Sequence, residues 1–248
     1  MKISVITVCY NSEKYIESTI RSVLSQTYND MEYIIIDGAS TDNTPNILNK
    51  TLANSNNVIC ISEPDSGLYN AMNKGIKLAT GEYLIFMNSG DVFTNSHVLS
   101  DIHDQLTSDI VYGNVIRISK SGDIKETYNS SPQYIKWLLL KGKMICHQAM
   151  FIKRPIMLQY MYDESYKITA DFNFLCKCIA DKHSLRYCDI DICQMDNTSG
   201  ISSEISNLPV MWEEDDRSIR QCFPFWYYIL FIPKKIIRNC KSIIANRQ

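Results

Sequence analysis

Nearly unbroken apolar runs set the rhythm of the first ninety residues. Ile3–Val8, Tyr33–Ile36, Val58–Ile61 and Tyr83–Met87 are short, rich in β-branched and aromatic residues, and closed by Asn, Ser, Gly or Asp or by a Glu-Pro-Asp turn. Such runs predict strands buried on both faces rather than half-exposed ones. Between them the apolar period changes to that of a helix. Ile16, Ile20, Val23 and Leu24 follow the first run, and Asn11 or Ser12 can cap that helix. Thr44 followed by Pro45 marks the start of a second, short helix. Leu68, Ala71, Met72, Gly75, Ile76 and Ala79 share one face of a third. Strand and helix alternating through short loops predict a parallel sheet with right-handed crossovers, so that the segments after each strand lie along one edge.

The pattern changes after residue 95. Ile110–Ser119 and Ile124–Tyr128 read as an antiparallel pair turning at Ser121-Gly122, and Pro132–Leu140 as a helix. Ile145–Ile152 reads as a strand with Cys146-His147-Gln148 inside it. Asp171 opens a helix whose apolar face is Phe174, Leu175, Cys178 and Ile179, Leu185–Cys193 alternates loosely, and Asn197–Ser203 is a polar loop around Gly200. The expected fold is therefore α/β, a mixed and mainly parallel sheet flanked by helices.

Charge divides the chain further. Its 248 residues suffice for one large domain or two small ones, and the net charge of −2 excludes a general nucleic-acid binder. Residues 223–248 hold five cations (Lys234, Lys235, Arg238, Lys241, Arg247) and no acid, leaving 20 cations against 27 acids, or −7, in residues 1–222. That basic stretch begins with Phe223, Phe225, Trp226, Tyr227, Tyr228 and Phe231, and continues with Ile236, Cys240, Ile243 and Ile244 on one stripe. An aromatic cluster beside a basic amphipathic helix fits a membrane interface, although the same helix could pack back on the domain. The division expected is 1–95, 96–222 and a tail at 223–248. The nine scattered cysteines lack zinc-knuckle or disulfide spacing, which suits reduced cytosolic thiols. The chain starts directly with a strand, so no secretory signal is expected, and no apolar run reaches the roughly 18 residues that span a bilayer.

The chemistry concentrates at strand ends. Asp37, Asp65 and Asp91 each follow one of the buried runs, where open α/β sheets bind ligands. One such acid would be an ordinary turn residue, but three on one rim call for more. Three carboxylates repel a bare phosphate, yet bind one through a divalent cation and accept hydrogen bonds from a base or ribose. A nucleotide diphosphate carried with a metal ion fits this combination.

Four motifs carry a resemblance: Ser4-Val5-Ile6-Thr7-Val8-Cys9-Tyr10-Asn11; Ile36-Asp37-Gly38-Ala39-Ser40-Thr41-Asp42; Glu63-Pro64-Asp65-Ser66-Gly67-Leu68-Tyr69-Asn70-Ala71-Met72-Asn73-Lys74-Gly75; and Asn88-Ser89-Gly90-Asp91. In this order and spacing, over about residues 3–203, the chain resembles a family 2 glycosyltransferase of the Rossmann-like glycosyltransferase A-type fold, as found in bacterial surface-polysaccharide assembly. The resemblance implies an inverting transfer from a nucleotide-diphosphate sugar, with a UDP-sugar favoured, to a lipid-linked or growing glycan at the cytoplasmic membrane face. It implies that Thr7, Tyr10, Asn11, Asp37, Asp65, Asn73 and Ser89 serve the nucleotide-sugar, and that Asp91 ends a metal-binding motif usually written Asp-x-Asp. Here Ser89 or Asn88 stands for the first acid, so Mg²⁺ or Mn²⁺ would rest on Asp91, the donor phosphates and water. Asp171 is implied as the base that takes the acceptor proton, against the plainer role of helix N-cap. His147 is implied to lie near the metal or sugar, against the plainer role of a buried, satisfied histidine. A sugar nucleotidyltransferase is less well matched, because Cys9-Tyr10-Asn11-Ser12-Glu13 is neither glycine-rich nor basic. A non-catalytic relative that binds nucleotide or membrane is the remaining alternative.

Overall fold

The computed structural model describes residues 1–53, 55, 57–118, 124–128, 135, 139, 144–196 and 205–231. The expected helix at 132–140 lies outside them except for Ile135 and Leu139, and the polar loop at 197–203 and the basic stripe at 234–244 lie outside them entirely.

The four apolar runs form β1 (Ile3–Cys9), β2 (Met31–Asp37), β3 (Val58–Ser62) and β4 (Tyr83–Phe86), all parallel, in the spatial order β3-β2-β1-β4. The helices between them are α1 (Ile16–Leu24), α2 (Thr44–Leu52) and α3 (Leu68–Leu78). Burial on both faces explains the unbroken runs. In β1, Val5 and Cys9 join Ile16, Ile20 and Val23 of α1 in one core, while Ile6 and Val8 join Met72 and Ile76 of α3 in the other. Two details of the helix starts differ from expectation. Neither Asn11 nor Ser12 caps α1 with its side chain, because helix geometry begins only at Ile16, and Thr44 lies inside α2 after Asn43. The Thr44 hydroxyl instead accepts from the Ser12 amide at 2.8 Å, tying together the loops after β1 and β2.

The remaining strands are β5 (Val92–Phe93), β6 (Ile110–Ile118), β7 (Ile124–Tyr128), β8 (Met150–Lys153) and β9 (Leu185–Asp196). They extend the sheet through β4-β8-β6-β9-β5, with β7 antiparallel on β6 as its turn signal predicts. The sheet is thus mixed, as expected, with β8 antiparallel to both β4 and β6, and β9 parallel to β6. The expected strand at Ile145–Ile152 is shorter than its apolar composition suggests. His147–Ala149 form a turn of 3₁₀ helix, and the strand starts at Met150. Because β8 runs against β4, its leading turn lies beside the carboxyl end of β4. A reversal of strand direction thereby delivers His147 and Gln148 to the edge where the parallel half ends. Two helices, α4 (Val98–Ile102) and α5 (Arg154–Tyr160), connect these strands, and α6 (Ala170–Ala180) and α7 (Leu208–Cys222) pack on the α3 face.

At the opposite edge the sheet is locked by a carboxylate. Glu32 accepts from Lys2 Nζ at 2.6 Å, Ser4 Oγ at 2.5 Å, the Thr80 hydroxyl at 2.7 Å and the Gly81 amide at 3.1 Å. Burial disfavours its charge, but these donors outweigh burial and hold its pKa down at about 2. Among the described residues no helix is long and apolar enough to cross a membrane. The described part of the tail is split: Phe223 and Tyr227 are buried in the α3-side core, whereas Phe225, Tyr228 and Ile229 are exposed.

Candidate active site

Two groups of residues form where the parallel strands end, one on each side of β1. The first surrounds Gly38. A β-carbon there would collide with the Asp65 carboxylate and meet the Tyr10 ring at 3.3 Å, so a side chain at this position would block the space between them. Tyr10 is 62% exposed, and Asp65 is held at one oxygen by the Gly67 amide at 2.9 Å. Asn11 adopts a left-handed conformation, φ 47°. Its amide N–H donates to Ser40 Oγ at 2.8 Å, and its side-chain oxygen accepts from the Thr41 amide at 2.9 Å. An exposed aromatic face beside an anchored carboxylate suits a heterocyclic base, which can stack on one and donate to the other.

Three residues expected to touch the ligand are bonded within the frame. Asp37 is fully buried, and its carboxylate is occupied by Ser40 Oγ, by the Ser40 amide at 3.2 Å and by Ser62 Oγ at 2.6 Å. It shapes the 38–41 loop. Thr7 is also fully buried; its hydroxyl donates to the Met87 carbonyl at 2.6 Å and shares a hydrogen bond with Tyr33. Asn73 uses its whole amide across to the second half: Nδ2 donates to the Tyr162 carbonyl and to Glu164, and Oδ1 accepts from the Tyr162 amide. In each case a polar residue in a motif faces inward because a buried backbone or hydroxyl group needs its partner.

The second group surrounds Asp91. The Asp91 amide donates to the Asn88 carbonyl at 2.9 Å, closing a turn in which Gly90 takes φ 102°. Thr19 of α1 holds this turn from below, accepting from the Gly90 amide at 3.0 Å and donating to the Asp91 carbonyl at 2.9 Å. The Asp91 side chain is buried, with the Gln148 amide bonded to it and His147 nearby. Burial raises its pKa to about 6; the His147 charge and the Gln148 bond offset this only in part.

His147 joins three elements. Its Nδ1 lies 2.8 Å from Asp171 Oδ2, and its Nε2 lies 3.1 Å from Asn88 Nδ2. With the Asn88 amide nitrogen facing Nε2, that ring nitrogen accepts and Nδ1–H donates to the Asp171 carboxylate. Burial works against an imidazolium, yet the Asp171 hydrogen bond and the charges of Asp171 and Asp91 shift the His147 pKa upward overall. Asp171 is the second residue of α6 and does not cap it. Its other oxygen accepts from the adjacent Phe172 amide at 2.9 Å. The cap role for Asp171 thus gives way to a pair with His147, each holding the other. Asn88 was read from sequence only as a stand-in for the first acid of the metal motif, and Gln148 only as a neighbour of His147; their bonds to His147 and Asp91 had no sequence signal.

The group presents part of a donor set for a divalent cation. Asn88 Oδ1 and Ser89 Oγ are buried without a hydrogen-bond partner, on the turn that ends in Asp91. Two orphaned oxygens beside a carboxylate are a hard, all-oxygen donor set of the type Mg²⁺ and Mn²⁺ accept. The set is small, and among the described residues no three His, Cys, Asp or Glu side chains gather around one point. The residues fit an ion completed by ligands from elsewhere.

A raised carboxylate pKa is also a stability statement. The folded value of about 6 lies above the unfolded value near 3.9, so keeping Asp91 charged costs stability as pH rises between them, fully so above pH 6. Asp91→Asn keeps the shape and removes the charge. In EDTA at pH 7.5 it should stabilise the protein by roughly 1–3 kcal/mol, and by about half as much at pH 5. Thermal or urea unfolding at both pH values measures this, and an unchanged or lower stability at pH 7.5 contradicts it.

Known proteins resemble this chain in sequence and fold. The model of the family described as Glycosyl transferase family 2 matches residues 4–161. A PGL/p-HBAD biosynthesis glycosyltransferase of Mycobacterium bovis is 31% identical over 209 residues, covering 82% of this chain and 79% of that one. An Escherichia coli protein named UDP-Glc:alpha-D-GlcNAc-diphosphoundecaprenol beta-1,3-glucosyltransferase WfaP is 31% identical over 173 residues, covering 67% and 68%. In fold, the chain matches S. aureus TarS 1-349 in complex with UDP-GlcNAc with a TM-score of 0.68 at 21% identity, over 89% of this chain and 67% of that one. It also matches the mannosyltransferase PcManGT from Pyrobaculum calidifontis, in complex with GDP-Man and Mn²⁺, with a TM-score of 0.62 at 15% identity, over 98% of this chain and 80% of that one. The fold is therefore one that these proteins share, and the chain belongs to glycosyl transferase family 2.

Proposed function

We propose that this glycosyltransferase is inverting and metal-dependent, moving a sugar from a nucleotide-diphosphate sugar to a hydroxyl of a lipid-linked or growing glycan. The observation that carries the reading is the chain Asn88–His147–Asp171. It brings a carboxylate from the second half of the protein to the turn that holds Asp91. The base slot of Tyr10, Gly38 and Asp65 supports a nucleotide on the other side of β1. The names of WfaP and of the TarS complex favour UDP as the carrier and, for WfaP, a polyprenyl-linked acceptor. Assembly of a surface polysaccharide or glycolipid fits both.

In this reading the acceptor hydroxyl approaches Asp171, which takes its proton as the oxygen bonds to the anomeric carbon. The bond from that carbon to the diphosphate breaks on the opposite side, and the configuration inverts. His147 Nδ1–H holds one oxygen of Asp171, and the Phe172 amide the other, so the carboxylate is aimed before the acceptor arrives. A divalent cation held by Asp91, Asn88 Oδ1 and Ser89 Oγ would supply positive charge for the departing diphosphate. Gln148 fixes the orientation of Asp91.

Two exposed aromatics and an isoleucine, Phe225 (66%), Tyr228 (65%) and Ile229, stand on a segment whose neighbours Phe223 and Tyr227 are buried. A segment rooted in the core and apolar outside, followed by five cations in residues 234–247, supports docking on the anionic inner face of the cell membrane.

Two measurements test these readings. Asp171→Asn should lower kcat for sugar transfer by roughly 10²–10⁴-fold, while metal-dependent thermal stabilisation by UDP-sugar stays within a degree or two of the parent. Near-parental turnover would exclude Asp171 as the base. For the tail, Phe225→Ser, Tyr228→Ser and Ile229→Ser together should leave the melting temperature unchanged and abolish sedimentation with anionic vesicles. Sedimentation at the parental level would rule out docking through these three residues.

A further inference from the structure

We infer that Glu214, on α7 and beyond the segment matched by the family model, is the positioning residue that aims Asp171. Glu214 is buried, and its carboxylate accepts from three consecutive backbone amides: Lys167 at 2.6 Å, Ile168 at 3.1 Å and Thr169 at 2.9 Å. The Thr169 hydroxyl adds a fourth contact at 3.2 Å. Consecutive N–H groups converging on one anion form a nest, a conformation that the anion itself stabilises. The residues that follow this nest are Ala170 and Asp171, so the side chain that fixes the loop fixes where α6 begins.

The same loop is held from the donor-binding half. Tyr69, on α3 just after the Asp65 loop, donates its hydroxyl to the Ile168 carbonyl. The Ile168 residue is thereby bonded through its N–H to the second half and through its C=O to the first. A second tie joins α7 to α6: Ser218 Oγ and Asn173 Nδ2 both bond to Tyr166, and Arg217 stacks on the Tyr166 ring at 3.6 Å. With both sides of the loop fixed, the 2.8 Å contact between Asp171 and His147 depends on Glu214 at a distance of several residues. The inference rests on the proposed role of Asp171 as base.

The test is a double-mutant cycle in the full-length enzyme. Glu214→Gln presents an amide N–H₂ to groups that are themselves donors, so the nest loosens. Alone it should lower kcat by about tenfold or more and leave the UDP-sugar KM within about twofold. Added to Asp171→Asn, it should lower the residual rate by less than about twofold, because a residue that acts through Asp171 has nothing left to act on. Equal losses in both backgrounds, or a raised donor KM accompanying the fall in kcat, would show a general structural role and overturn the inference. Parental kinetics for Glu214→Gln, with Asp171→Asn inactive, would also overturn it while leaving the base assignment standing. An active Asp171→Asn enzyme would instead remove the base reading on which it rests. If Glu214→Gln fails to fold, Glu214→Asp, which keeps the charge but shortens the reach, is read through the same cycle.

Discussion

The hydrogen-bonded chain Asn88–His147–Asp171 ties the turn that holds Asp91 to the second half of the protein. Burial disfavours the charged form of His147, and the hydrogen bond to Asp171 offsets that cost. The pair is stable only because its surroundings are fixed. Asn88 satisfies the second imidazole nitrogen, the Phe172 amide satisfies the second carboxylate oxygen, and the sheet holds all three segments in register. The antiparallel insertion of β8 is the structural condition for this. A strand running in the other direction would carry His147 to the wrong edge.

Two buried carboxylates at opposite edges of the sheet illustrate how structure and function divide. Glu32 is surrounded by donors from Lys2, Ser4, Thr80 and Gly81, and its pKa falls to about 2. Asp91 has few donors and two orphaned oxygens as neighbours, and its pKa rises to about 6. The first is a completed site that joins β1 and β2 to the segment before β4. The second leaves two oxygens without partners beside a carboxylate, which is what the proposed cation site requires.

Much of this was legible in the sequence, for a physical reason. Apolar runs report burial on both faces, and the β–α alternation then determines which ends share an edge, so Asp37, Asp65 and Asp91 follow strands that end on one rim. What periodicity does not report is which way a polar side chain turns. Thr7, Asp37 and Asn73 were read as facing ligand because they lie in ligand-bearing motifs, yet each meets an internal hydrogen-bonding need. The strand assigned to Ile145–Ile152 failed at His147 because an apolar stretch carries no mark of a 3₁₀ turn. Glu214 had no signal at all. It is one acid among several on α7, and its importance comes from a loop forty-five residues earlier in the chain, at Thr169.

A crystal structure of the enzyme with Mn²⁺ and a non-transferable UDP-sugar, with manganese located by its anomalous signal, tests the whole account most directly. The account predicts manganese bound to the Asp91 carboxylate and the donor diphosphate, the base against Tyr10, and the face of the anomeric carbon opposite the diphosphate open toward Asp171. Manganese away from Asp91, or a donor whose anomeric carbon is turned from Asp171, would contradict it.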